Sequence, residues 1–225
     1  MQYFDIIGGT STGGLIAIML GRLRMSTANA IAPYNLMSGH VFSERKFFMQ
    51  DGSFKATKLE EAVKKTIKQY GDLKDEQEDM LDKQANTDVC KAFVCAVAVN
   101  NINHPTLFRT YEAPRTSPTC KIWQAARATT AASTFFKQIS IGEPGAEVRY
   151  IDAALGCNKP TRLLVEEAQL LFRAHAIDCI LSIGTGQPQF VSIPTPTLFQ
   201  RIFPTRIIDV LKKLATDANR VADEM

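Results

Sequence analysis

Residues 3–20 read YFDIIGGTSTGGLIAIML, and this stretch decides the fold class. Its first five residues are mostly aromatic and β-branched, which is typical of a short strand. A glycine-rich turn follows at residues 8–14, and the helical spacing of apolar residues begins at Leu15. The sequence therefore predicts a strand, a sharp turn and a helix in immediate succession.

The rest of the chain continues this alternation of strands and helices. We predict further strands at residues 91–100, 148–151 and 179–183, and helices at residues 27–37, 58–70, 121–133, 161–174 and 206–223. The nearly continuous apolar run at 91–100 indicates a central strand covered on both faces. Residues 72–88 carry seven acids and little apolar periodicity, so we interpret them as a solvated loop or surface helix without function. The pattern predicts an α/β fold with a mostly parallel central sheet.

Composition narrows the classes of protein to consider. With 225 residues, 45% of them hydrophobic, the chain is long enough to bury one core. The 26 basic and 23 acidic residues give a net charge of +3, too small and too dispersed to favour nucleic acid as a partner. No apolar run is long enough to span a membrane and no signal peptide is apparent, so we expect a cytoplasmic protein. The five cysteines lack the spacing of a zinc site or disulfide framework, which predicts that most are core residues.

The turn contains a motif that can carry chemistry. Gly9, Thr10, Ser11, Thr12 and Gly13 match GxSxG, in which glycines let a serine sit on a strained strand-to-helix turn with its oxygen exposed. A glycine-rich turn that merely packs helix against strand is the structural alternative. A phosphate-binding loop does not fit, because no Lys-Ser or Lys-Thr pair follows the glycines.

A serine nucleophile needs a base to take its proton. Asp152 directly follows a predicted strand, so we place it at the same edge of the sheet as Ser11. His104 also lies on that edge and is a candidate third member of a triad, whereas His40 and His175 have no evident connection to the site. The residues favour a serine–aspartate pair, while a loop carboxylate that caps backbone N–H groups remains the alternative for Asp152.

Four segments together resemble the patatin-like phospholipases, which are lipid acyl hydrolases. These are YFDIIGGTSTGGLIAIMLGR (3–22), ARATTAASTFF (126–136), YIDAALGCNKP (150–160) and CILSIGTG (179–186). The resemblance implies a three-layer α/β/α sandwich in which Ser11 is the nucleophile and Asp152 the base. It also implies a lipid or phospholipid substrate, transient peripheral contact with membranes, and chemistry that requires no metal or cofactor.

Two features depart from that family. The family's aspartate is usually followed by glycine, but this chain has Ala153 and Ala154 after Asp152, and Ala153 would be strained if its φ were positive. The family also has a glycine-rich oxyanion loop well before the nucleophile, whereas this sequence begins ten residues before Ser11. The backbone N–H of Thr12 then remains as a partial oxyanion donor.

These departures shape two expectations about the whole protein. We expect residues 1–225 to form a single, incomplete patatin-like domain of a longer protein that contains further domains. The main functional hypothesis is a lipid acyl hydrolase that takes part in lipid degradation. The alternative is a catalytically impaired signalling or binding module built on the same fold.

Overall fold

The computed structural model describes residues 3–42, 52–84, 88–114, 117–131, 137–155, 157 and 160–184. The strands are β1 (Ile6–Thr10), β2 (Lys91–Ala98), β3 (Asn101–Arg109), β4 (Ile139–Ile141) and β5 (Val148–Asp152). The helices are α1 (Thr12–Ala17), α2 (Thr27–Phe42), α3 (Gly52–Tyr70), α4 (Ile122–Thr129) and α5 (Thr161–Leu171). A π-helical turn (Ile18–Arg22) extends α1, and a 3-10 turn (Ala153–Leu155) follows β5. The predicted helix at 206–223 and the last two residues, 185–186, of the segment CILSIGTG lie outside the described residues.

The sheet is built around β2. Strand β1 pairs with it in parallel, whereas β3 and β5 pair with it antiparallel, and β4 pairs antiparallel with β5. The predicted α/β class is confirmed, but one of the four pairings among the described strands is parallel, so a mostly parallel sheet was wrong for this part. For β3 the cause is the short turn at residues 99–100, which leads β2 straight into an antiparallel neighbour.

Alternate residues of β2 face two separate hydrophobic clusters, as the period-two geometry of a strand requires. Val94, Ala96 and Ala98 pack with α1, α2, α3 and α4 on one side. Phe93, Cys95 and Val97 face the other side, where α5 contributes Leu163 and Leu164. The fold is therefore a three-layer α/β/α arrangement, and β2 is the buried central strand that its apolar run predicted.

A buried polar cluster ties α5 to the sheet. Glu167 of α5 accepts two hydrogen bonds of 2.7 Å from the guanidinium of Arg109, at the end of β3. The hydroxyl of Tyr111 donates a third hydrogen bond, also 2.7 Å, to the same carboxylate. Since removal of one partner would leave a buried charge uncompensated, this cluster fixes the position of α5 against the sheet.

The acidic segment at residues 72–88 is partly buried, which its composition did not predict. Glu78 is fully buried, and its carboxylate accepts backbone N–H groups of Asp72 and Leu73. Arg22, at the end of the π-helical turn, contacts Glu78 at 3.4 Å and Asp72 at 3.1 Å. The interpretation of residues 72–88 as only a solvated loop was therefore wrong, because a buried arginine some 50 positions earlier supplies the counter-charge.

The predicted strand at 179–183 is not a strand in the structure. Those residues lie outside any helix or strand, and Leu181 and Ile183 are 64% and 83% exposed. Of the cysteines, Cys90, Cys95, Cys120 and Cys157 are buried as predicted, whereas Cys179 is exposed. β-Branched composition favours an extended chain, but a strand also needs a neighbour for its backbone hydrogen bonds.

Candidate active site

The turn between β1 and α1 holds Ser11 in an unusual backbone conformation. Its φ is +57° and its ψ −127°, a region that costs a non-glycine residue about 1–3 kcal/mol. The chain returns so tightly that a Cβ at Gly9 would overlap the carbonyl oxygen of Gly13. A Cβ at Gly14 would lie 2.7 Å from Oγ1 of Thr129. Gly9 is therefore required by a close contact within the turn, and Gly14 by its close contact with α4.

Thr129 holds the strained turn in place. Its Oγ1 accepts the backbone N–H of Ser11 at 2.9 Å and donates to the carbonyl oxygen of Cys95 on β2 at 2.7 Å. The side chain is fully buried at the end of α4. Sequence reasoning missed this residue because its two partners lie 118 and 34 positions away. The available signal was the pair Thr129 and Thr130, two hydroxyls at the end of a largely buried helix.

Asp152 meets Ser11 because two strands end against each other. Along one edge of β2, Thr10 of β1 pairs with Cys95, and Asp152 of β5 pairs with the next residue, Ala96. The Ser11 hydroxyl lies close enough to the carboxylate of Asp152 to lower the pKa of that carboxyl. The sequence argument placed the two at one edge of a parallel sheet. That reason was wrong, since β5 runs antiparallel to β2 and its carboxyl end faces that of β1.

The surroundings of Asp152 make it a stronger base than an ordinary aspartate. Burial raises the pKa of its carboxyl, and hydrogen bonds from the Ser11 hydroxyl and the Ala154 backbone N–H lower it only in part. The Ala154 N–H donates to Oδ1 at 2.9 Å, and the N–H of Asp152 itself donates to the carbonyl of Ala131 at 3.0 Å. The carboxylate is thus fixed in position and poised to accept a proton.

The other residues of the GxSxG motif leave room for a ligand beside the serine. A Cβ built at Gly13 would meet no atom within 4 Å, so the space next to the turn is open. The N–H groups of Gly14 and Leu15 donate to the carbonyl of Ser11, which closes the first turn of α1. The N–H groups of Thr12 and Gly13 precede them and, as the first amides of a helix, have no acceptor within it. These two N–H groups directly follow Ser11 in the chain.

Ala153 and Ala154 carry no backbone strain. Among the described residues, non-glycine positions with positive φ are Ser11, Arg24 and Lys74. Ala153 instead begins the 3-10 turn and is fully buried, and Ala154 supplies the N–H that binds Asp152. Alanine in place of the family's glycine is therefore compatible with this backbone.

The histidines lie apart from the pair. His104 is exposed on β3, which pairs with the edge of β2 opposite to the edge that β1 and β5 share. His175 is exposed after the end of α5, and His40 belongs to α2, with a side chain outside the described part. The structure thus brings Ser11 to Asp152 and keeps His104 on the far side of β2. Within the described ranges, no group of three His, Cys, Asp or Glu side chains is arranged to hold a metal ion.

The site thus combines a strained serine between strand and helix with a buried aspartate at the end of a neighbouring strand, within a three-layer α/β fold. The chain belongs to the patatin-like phospholipase family, whose model matches residues 1–165.

Individual relatives agree with this assignment. The chain is 27% identical over 250 residues to phospholipase A I of Arabidopsis thaliana, covering 86% of this chain and 18% of that protein. It is 26% identical over 235 residues to calcium-independent phospholipase A2-gamma of Mus musculus and 28% identical over 231 residues to that of Homo sapiens. Each of those two matches covers 98% of this chain and 28% of the relative. The chain thus spans between about a fifth and just over a quarter of these relatives.

Proposed function

We propose that this protein hydrolyses carboxylic ester bonds of lipids through Ser11 and Asp152. The observation that carries the proposal is the strained Ser11 beside the buried carboxylate of Asp152, brought together by the ends of β1 and β5 on adjacent residues of β2. The family and the phospholipase relatives support a lipid as the substrate.

The proposed reaction proceeds in two halves. In the first, Oγ of Ser11 attacks the acyl carbonyl carbon while its proton passes to the carboxylate of Asp152. The Thr12 N–H stabilises the negative charge that develops on the carbonyl oxygen. Collapse of this intermediate leaves an acyl-Ser11 and releases the alcohol portion of the lipid, which takes the proton from Asp152. In the second half, water gives a proton to Asp152 and attacks the acyl-enzyme. Collapse of this second intermediate releases the fatty acid, and Oγ of Ser11 takes the proton back from Asp152.

The alternative of a catalytically impaired module on the same fold loses one of its two supports. It rested partly on strain at Ala153, and that residue adopts an ordinary backbone conformation. No observation in the described residues favours this module over the hydrolase.

Labelling with a fluorophosphonate, which reacts with activated serines, tests the hydrolase directly. We expect the protein to be labelled at Ser11, and Ser11→Ala and Asp152→Asn to abolish labelling. Ser38→Ala is a matched control, because the hydroxyl of Ser38 only donates to the Asn35 carbonyl within α2. A folded protein that ignores the probe, or equal labelling of the Ser11→Ala variant, would refute the proposal.

We further propose that α2 makes the transient contact with the lipid surface. No described helix is both long enough and apolar enough to span a membrane. Helix α2, however, contains no Asp, Glu, Lys or Arg, and its Ile31 and Leu36 are 60% and 49% exposed. A groove of about 360 Å³ separates it from α3, whose Lys65 lines the groove. Apolar side chains beside a lysine suit the boundary of an anionic bilayer.

Sedimentation with phosphatidylserine vesicles tests this surface. We expect the double variant Ile31→Glu and Leu36→Glu to lose vesicle binding yet keep fluorophosphonate labelling. Leu73→Glu is the matched control, since Leu73 is 63% exposed but lies in the acidic segment. Unchanged vesicle binding by the double variant, or a dimer in light scattering that this variant dissociates, would contradict the proposal.

A further inference from the structure

The groove of about 360 Å³ between α2 and α3 has a lining of its own. Its volume falls within the roughly 300–1,000 Å³ that is usual for sites of small molecules. The groove shares no lining residue with the nucleophile turn, with α4 or with β5, so the proposed reaction does not use it. Its own walls therefore decide what it can bind.

The walls of the groove change from polar to apolar along its length. Consecutive helices with a short connection pack antiparallel, so the start of α2 lies beside the end of α3. That end of the groove is lined by Asn29, Gln69 and Tyr70, and the Gln69 amide donates to the Tyr70 hydroxyl at 3.3 Å. The opposite end is lined by Leu36 of α2 and Ala62 of α3. A ligand with one polar and one apolar end fits this gradient.

Lys65, between the two ends, brings a positive charge that no neighbour neutralises. The lysines beside it on α3 are both paired, Lys64 with Glu60 at 2.6 Å and Lys68 with Glu76 at 3.1 Å. Lys65 forms no ion pair within the described part of the chain, and the described lining of the groove contains no Asp or Glu. The groove thus offers one cation to a ligand that carries a negative charge.

We propose that this groove is a binding site for a single fatty acid. Its carboxylate pairs with Lys65, and its chain lies over Ala32 and Pro33 toward Leu36. One carboxylate matches one unpaired lysine, and an unbranched chain matches walls of small apolar side chains. The site does not rest on the proposed hydrolysis, although a fatty acid is the product that this hydrolysis releases.

The size of the groove favours one acyl chain over a whole phospholipid. A water molecule takes up about 30 Å³ of liquid, and a methylene group needs about as much space. The 360 Å³ of the groove therefore accommodates a chain of about a dozen carbons. A phospholipid with two long chains is several times larger than this volume.

Calorimetric titration with decanoate, below its micelle concentration and without vesicles, tests the site. We expect saturable binding of about one decanoate per chain. Ala32→Trp places a large side chain in the groove from an exposed position of α2 and should weaken binding at least tenfold. Lys65→Gln should weaken decanoate binding about two- to fivefold, as expected for an exposed ion pair, and leave the binding of uncharged 1-decanol unchanged.

Each variant has a matched control. Asn35 is exposed on α2 but does not line the groove, so Asn35→Trp should bind decanoate as the natural sequence does. Lys68 is paired with Glu76 and also lies outside the lining, so Lys68→Gln should likewise have no effect. Circular dichroism confirms that each variant is folded.

The possible failures are distinct. Absence of saturable decanoate binding, or equal affinity of Ala32→Trp and Asn35→Trp, overturns the site. If Ala32→Trp does not fold, an equal loss of decanoate and 1-decanol binding in Lys65→Gln overturns it instead. Binding of phosphatidylserine vesicles without binding of decanoate also overturns it. A protein that binds decanoate in the expected way but does not label with fluorophosphonate refutes the hydrolase and supports the fatty acid site.

Discussion

Replacement of Thr129 by valine isolates the part of the site that holds the nucleophile turn. Valine keeps the shape of threonine but lacks the hydroxyl, so the Cys95 carbonyl loses its donor and the Ser11 N–H loses its acceptor. A polar group left unsatisfied by such a change costs about 1–3 kcal/mol. Two such groups predict a loss of about 2–6 kcal/mol, a large fraction of the roughly 5–15 kcal/mol that stabilises a typical domain.

The effect on reactivity follows from the strain at Ser11. Its positive φ costs about 1–3 kcal/mol and persists only while the surroundings enforce it. Because about 1.4 kcal/mol corresponds to a factor of ten, release of this strain leaves the hydroxyl against Asp152 in about 5- to 150-fold fewer molecules. We therefore expect Thr129→Val to slow fluorophosphonate labelling by about that factor.

The assay is the second-order rate of labelling, with circular dichroism to confirm that each variant is folded. Thr129→Ser restores the hydroxyl and should recover most of the rate. Thr130→Val is the matched control, because the Thr130 hydroxyl donates to the Ala126 carbonyl within its own helix and does not contact the turn. A folded Thr129→Val protein that labels at the original rate would refute the positioning role.

Three further predictions concern the pair and its turn. Labelling requires ionised Asp152, so between about pH 8 and pH 4 its rate should fall at a pH above the ordinary aspartate range; a midpoint typical of a free carboxylate would contradict the effect of burial. Because burial raises the pKa of Asp152, the protonated carboxyl fits the folded protein better than the charged one. Its contribution to stability is complete below the pKa of the unfolded state and is lost as the pH rises through the pKa of the folded state. Asp152→Asn should therefore raise the melting temperature at neutral pH and have little effect in acid, and a lower melting temperature at neutral pH would show that the charge is not penalised. Gly9→Ala should abolish labelling or folding because its Cβ overlaps the Gly13 carbonyl, whereas Gly13→Ala should melt no lower than the natural sequence; equal melting temperatures and labelling rates for the two variants would show that the turn is not as tight as the contacts require.

Features that depend on local pattern could be predicted from the sequence. The apolar run of β2 identified the central strand because burial on both faces leaves no alternation. The glycines around Ser11 indicated a strained turn because few other residues tolerate such close backbone contacts. In both cases the residues that determine the structure are neighbours in the chain.

Features that depend on partners far away in the sequence could not be predicted in this way. Nothing within β5 specifies its direction relative to β2, and this direction decides how Asp152 reaches Ser11. The role of Thr129 depends on Cys95 and on the turn, and the burial of Glu78 depends on Arg22. Sequence spacing contains no signal for such contacts, so the roles of these residues could not be predicted.

The end-to-end meeting of β1 and β5 makes β2 the template for the serine–aspartate spacing. Thr10 and Asp152 are paired with consecutive residues of this one strand, so the separation of the two functional groups is set by a single step of its backbone. A slip of one residue in either pairing would turn every side chain of that strand to the other face. The loops that connect these strands can therefore change in length without altering the pair, provided that the ladder along β2 is kept.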